Sequence, residues 1–155
     1  MRVFCLLALS CSLLIDHRAE MAPITQTTSE DDPCAEVGGW GDDDYSRHCE
    51  TREETLPAGP LAVGGGQNGG IRVEGWDQHE IRVQVVVLAH ARSEDRAGEL
   101  ASQVQVETAG NRVHANGPAT SGREWWSVSY RINLGAGGAP VRVRTTNGGV
   151  RIEKR

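Results

Sequence analysis

No apolar run in this sequence reaches the ~18 residues of a membrane-spanning helix. Positive charge is not in excess: the formal net charge is −5, which argues against a general nucleic-acid binder. Glycine is abundant, at 19 residues, yet has no collagen period. Catalytic signatures are missing as well. Neither G-x-S-x-G nor H-E-x-x-H occurs, and the Gly-rich residues 64–70 lead to no G-K-[ST], so that run reads as a turn and not a phosphate cradle. There is no C-x-x-C pair to nucleate a zinc site. His48, His79, His90 and His114 are scattered, and a pair such as Asp77 with His79 is one that any chain of this size offers. The 155 residues therefore read as one turn-rich globular domain with no catalytic residue, metal or other cofactor.

What is present begins with an address. Met1-Arg2 is followed by apolar residues 3–15, interrupted only by Ser10, Ser12 and two Cys, and closed by Asp16-His17-Arg18. This is the layout of a secretory signal peptide, assigned to residues 1–22 with cleavage between Ala19 and Ala22. Two other readings stay open: lipidation at Cys11, and a buried N-terminal strand or helix. Export would remove Cys5 and Cys11 and leave Cys34 and Cys49 as an even pair in an oxidising compartment. Their bond would close a loop of 16 residues, contributing about 3 kcal/mol.

Residues 23–55 read as an acidic, loop-rich segment stapled by that disulfide. Here Glu30, Asp31, Asp32, Glu36, Glu50, Glu53, Glu54 and the Asp42-Asp43-Asp44 run face only Arg47 and Arg52. The aspartate run lacks the spacing of a calcium loop and reads as a solvated turn. Residues 56–155 alternate with period two: Ile71-Arg72-Val73-Glu74, Ile81-Arg82-Val83-Gln84-Val85, and Val141-Arg142-Val143-Arg144. Trp126, Val128, Tyr130, Ile132 and Leu134 fall on one face, with Ser127, Ser129, Arg131 and Asn133 on the other. Such alternation marks half-buried strands, with the arginines on the solvated face. Asn-Gly steps at Asn68, Asn116 and Asn147 predict tight turns. One short helix is expected over residues 94–102, capped by Ser93, with acids in its first turn and Leu100 inward.

The strongest pattern is an internal repeat. Asn68-Gly69-Gly70-Ile71-Arg72-Val73-Glu74 returns as Asn147-Gly148-Gly149-Val150-Arg151-Ile152-Glu153, each copy preceded by a strand. One strand–turn–strand unit cannot bury its own apolar face, so such units stack. The second copy stops at the C-terminus, which predicts a shortened version of a longer design or an edge capped by a partner.

Four motifs together carry a family resemblance: R-H-C-E-x-R-E-E-T-L-P from Arg47, N-G-G-I-R-V-x-G-W-D from Asn68, W-S-V-S-Y from Trp126, and T-x-N-G-G-V from Thr145. In this order they resemble exported bacterial proteins of the putative-adhesin β-strand-repeat family. The resemblance implies a mainly β fold: antiparallel strands with one short helix, leading into the first rung of a β-solenoid-like repeat. Residues 135–140 stand where that family has a shorter turn. It implies no enzymatic activity, and an exported module, periplasmic, cell-surface or secreted, for adhesion or assembly. Expected partners are a protein or cell-surface polymer, or a second copy through the C-terminal strand. Nucleic acid is not expected, nor a membrane span after signal removal. The alternative is an exported carbohydrate-binding accessory domain or hydrolase. It would use Trp76, Trp125 and the four scattered histidines, since exposed aromatics on a β surface bind sugars or proteins. Trp125 is the best single contact candidate because it points away from the face of Trp126.

Overall fold

A computed structural model describes residues 32–37, 44–66, 68–135 and 140–153. The expected signal segment, Asp42 and Asp43 lie outside the described residues. The chain runs α1 (Pro33–Val37), β1 (Ser46–Pro57), β2 (Leu61–Gly64), β3 (Ile71–Gly75), β4 (Glu80–Ala91), α2 (Glu94–Ser102), β5 (Gln105–Glu107), β6 (Arg112–Asn116), β7 (Trp125–Leu134), β8 (Val141–Arg144) and β9 (Val150–Glu153). Two sheets form. One has five strands in the order β1-β4-β7-β3-β9, the other four in the order β5-β6-β2-β8.

The fold is mainly β, as expected, but the sheets are mixed where antiparallel strands were expected. β1 with β4, β4 with β7, and β5 with β6 run antiparallel. β6 with β2, β2 with β8, β7 with β3, and β3 with β9 run parallel. The reason lies in the turns. Asn68-Gly69 does not close a hairpin; it carries the chain from β2 in one sheet to β3 in the other. Successive units then lie beside one another in the same direction. β2–β3 is flanked by β6–β7 on one side and β8–β9 on the other, so the parallel stack holds three units where a single rung was expected. No closed solenoid forms among the described residues. The repeat pairs in register, Ile71 with Val150 through Glu74 with Glu153. Gly64 pairs with Arg144 and Ile71 with Val150, so the second turn is one residue shorter than the first. The longer turn uses the left-handed region at Gly66 and Asn68, with φ of 60° and 61°.

Inward aliphatics from both sheets form one core cluster, including Leu61, Val63, Val113, Val73, Val83, Val128 and Ile132. Burying each contributes about 1.5–3 kcal/mol. Tyr130 belongs to the same cluster, and burial raises its phenol above the ordinary value. β4 is buried on both faces from Val85 to Ala91, which explains its continuous apolar run.

The largest departure is β1. Its composition reads as acidic loop, yet it is a twelve-residue strand paired with all of β4. Its charges are used locally. Arg52 pairs with Glu50 and donates to the carbonyl oxygens of Ala101 (3.0 Å) and Val104 (2.5 Å) at the end of α2. That adds side-chain donors to carbonyls at and just beyond the helix terminus and places a cation at its negative end. α2 spans the residues expected, with the Ser93 hydroxyl accepting from the Arg96 amide at 3.3 Å and Leu100 fully buried. Gly98 weakens this helix without a packing need: an added methyl would meet the His48 ring at an ordinary 3.7 Å. Gly98→Ala is expected to stabilise the protein by about 0.5–1 kcal/mol, read as a higher urea midpoint at unchanged slope.

Candidate functional site

The outer face of the five-stranded sheet, away from the core, brings together most of the polar and aromatic side chains of interest. Alternation places Trp125, Ser127, Ser129 and Arg131 of β7 there, beside Arg72 and Glu74 of β3, and Arg151 and Glu153 of β9. Over this face lies α1, tied to β1 by a Cys34–Cys49 disulfide, the pair the sequence offered.

In-register stacking of the repeat sets Arg72 beside Arg151 and Glu74 beside Glu153, like against like. The side chains resolve this along and diagonally across the strands. Arg72 Nε lies 2.6 Å from Glu74 Oε1, and its Nη2 donates to Glu153 Oε2 at 3.0 Å. Arg151 Nε lies 2.5 Å from Glu153 Oε1. Glu36, from the segment read as acidic loop, completes the network: its Oε1 is 2.9 Å from Arg131 Nη2 and 3.8 Å from Arg72 Nη1. The arginines expected to be merely solvated at 72 and 131 are thus half-buried and paired. The Arg72 hydrogen bond, with Arg151 nearby, holds the Glu153 carboxyl below its ordinary range, and the same bond raises Arg72.

The sign of the pH effect follows. A depressed folded-state pKa gives stability that is present above the unfolded value, about 4.3, and lost as pH falls through the folded value. Protection of the β9 amides, corrected for the intrinsic exchange rate, is therefore expected to fall below about pH 4. The fall should be blunted in Glu153→Gln; an unchanged pH profile in that variant would contradict the assignment.

At the other end of the face, Trp125 points outward as expected, but it does not stand alone. Its ring stacks on His90 (5.2 Å, 14°), and His90 stacks on Tyr45 (4.9 Å, 9°). The Arg123 guanidinium lies 6.0 Å from the Tyr45 ring centre, and its carbonyl oxygen is 3.2 Å from His90 Nδ1. Trp126 packs against the core and donates from Nε1 to the Pro118 carbonyl at 2.9 Å. Trp76 is elsewhere: Nε1 donates to the Glu80 carbonyl at 2.8 Å, and Arg82 lies over its ring at 4.6 Å. Trp76 lies at the Leu134 end of β7 and Trp125 at the opposite end, beside His90. Asp77 and His79 sit exposed in the turn after β3, away from His90 in the aromatic stack. His48 lies 3.9 Å from Glu50, and His114 lies 3.4 Å from Glu107.

Two connecting hollows, of about 300 and 800 Å³, run along the face. Both are lined by Glu36, Val37, Gly70, Ser129 and Gly149. The smaller reaches Arg72 and Arg131, the larger Ser127 and Trp125. The repeat turns frame them. The Gly70 amide donates to Ser129 Oγ at 3.2 Å, and Thr145 Oγ1 donates to the Gly69 carbonyl at 3.2 Å while accepting from the Gly148 amide at 3.0 Å.

No family model and no curated protein matches this chain. Three solved structures resemble it. A putative adhesin from Parabacteroides distasonis ATCC 8503 aligns at 9% identity over 69% of this chain and 40% of its own, with a TM-score of 0.46. A putative adhesin from Parabacteroides merdae ATCC 43184 aligns at 7% identity over 68% and 39%, TM-score 0.41. A putative adhesin from Bacteroides fragilis NCTC 9343 aligns at 17% identity over 70% and 44%, TM-score 0.42. The chain spans about two fifths of the length of these structures. Likeness at this level assigns no function.

Glu36 and Tyr45 were not singled out from the sequence, and His90 only as one of four scattered histidines. The continuous apolar run of β4 was the available signal, since a strand apolar on both faces needs a cover on each.

Proposed function

We propose that this chain is an exported, non-catalytic β module for adhesion or assembly, and that its assembly element is the β8–β9 edge. The observation that carries the reading is the state of that edge. Val150 is 46% and Ile152 73% exposed, although their parallel partners Ile71 and Val73 are buried. β8 and β9 each end a sheet, so a single arriving unit meets both edges at once. Nothing among the described residues pairs with their outer sides. Strand addition supplies main-chain hydrogen bonds there and covers the two aliphatics. The partner is a second copy, set edge to edge about a two-fold axis, an arrangement in which one patch serves both subunits. Export is supported by the Cys34–Cys49 bond, which persists in oxidising compartments.

Sedimentation of the full chain across a concentration series tests this. A monomer–dimer equilibrium is expected, with Ile152→Lys shifted to monomer. A strict monomer at the highest soluble concentration, or a dimer indifferent to Ile152→Lys, would sink the edge as the assembly element.

A further inference from the structure

We propose that the hollow on the outer face is a binding site for an acidic oligosaccharide, and that Glu36 occupies the place of the ligand's carboxylate. This deepens the adhesion half of the reading above by giving it a ligand class, and it does not require the β8–β9 edge.

Three features converge on this chemistry. The first is charge. Arg72, Arg131 and Arg151 face Glu36, Glu74 and Glu153, a balanced set. Glu74 and Glu153 sit on the sheet itself, locked between strands, with Glu74 only 7% exposed. Glu36 differs: it comes from a five-residue helix laid over the sheet and is half exposed. Withdraw it, and three guanidiniums face two carboxylates, leaving a net cationic position that one incoming carboxylate neutralises. Arginine's planar fork suits a carboxylate in that position.

The second feature is the aromatic end. Trp125 lines the same hollow as Glu36, with Ser127 and Ser129 between. Its orientation is fixed by the stack on His90 and Tyr45. A rigid indole beside hydroxyls is a surface on which a sugar ring lies with its apolar face down. The third is the strand geometry. Trp125 and Arg131 are on the same face of β7, and at 3.3 Å per residue they are about 20 Å apart along it. That length suits several linked sugar rings and exceeds a monosaccharide. An acidic peptide fits less well. The hollow lies on the face of the sheet, where strand backbone groups are already paired, so an extended peptide finds no main-chain partners there.

The test uses the full chain with its disulfide intact, and tetragalacturonate as the probe, followed by calorimetry and tryptophan fluorescence. Its fully methyl-esterified form is the control, with the same rings and no charge. Saturable binding of the acid and at least tenfold weaker binding of the ester are expected. Glu36→Ala should tighten binding at least tenfold, while Arg131→Gln and Trp125→Ala should each weaken it at least tenfold with unchanged thermal unfolding. If Arg131→Gln unfolds the protein, the Glu36→Ala gain and the Trp125→Ala loss still decide. Equal binding of acid and ester, no response to Glu36→Ala, or tighter binding of hexaglutamate than of the saccharide would each overturn the assignment. Ile152→Lys should bind the saccharide unchanged. A monomeric protein that binds would retire the assembly edge alone; a dimer that does not bind would retire the saccharide site alone.

Discussion

Gly148→Ala is expected to detach β8–β9 from the β2–β3 unit. A methyl at Gly148 would sit 1.5 Å from the Gly69 carbonyl oxygen and 2.5 Å from its carbon, both backbone atoms. Ordinary overpacking costs about 1–3 kcal/mol because side chains give way. Here the obstacle is the neighbouring turn itself. That turn is held in its place by Tyr130 donating its amide to the Gly70 carbonyl at 2.8 Å, and by Gly70 on Ser129. The loss should therefore reach about 3 kcal/mol, the top of that range. Hydrogen exchange is the discriminating measurement: amides of 141–153 should lose protection while those of β4 and β7 keep theirs. Gly149→Ala is the control one residue away. An added methyl there meets nothing within 4 Å, so stability should stay within about 0.5 kcal/mol of the parent. Equal behaviour of the two variants would refute the close approach of the turns.

The second large effect concerns the disulfide. Replacing both Cys34 and Cys49 with Ser should cost about 3 kcal/mol, given a closed loop with a sequence separation of 15. For a domain of this size that corresponds to a fall in Tm of about 10 °C by calorimetry. The change should also have a local signature. α1 has no buried residue of its own and is held by this bond and by the Glu36 ion pairs, so loss of the bond should loosen it and raise the exposure of Val86 and Leu88 beneath. A difference below about 1 kcal/mol would mean that the acidic segment is held by other contacts.

These two variants probe features of unequal visibility in the sequence. The turn repeat was legible because it is spelled twice, and in-register stacking follows once two identical units must share one core. α2 was legible because Ser93, the early acids and Leu100 all report the same helix. Strand direction was not legible. Alternation has period two in either orientation, so Ile71-Arg72-Val73 cannot say whether its neighbour runs with it or against it. β1 was hidden for a different reason. Its Glu50 and Arg52 look solvated in the sequence, yet they pair with each other, and the carbonyls that Arg52 reaches at the end of α2 are about fifty residues further along the chain. The outer-face site was half legible. Trp125 and Arg131 were placed on the right side by alternation. Glu36 was lost in an acidic stretch whose composition suggested only hydration.

The parallel order of the three units has a kinetic consequence. β2 and β3 cannot pair until residues 112–134 have been made, and both sheets draw their neighbours from distant parts of the chain. Folding of such a high-contact-order topology should be slow, on a millisecond-to-second scale, with little help from local hairpins. During that wait β4 has β1 and α2 beside it but not β7, so part of its apolar surface stays open and the partly folded chain is prone to aggregate.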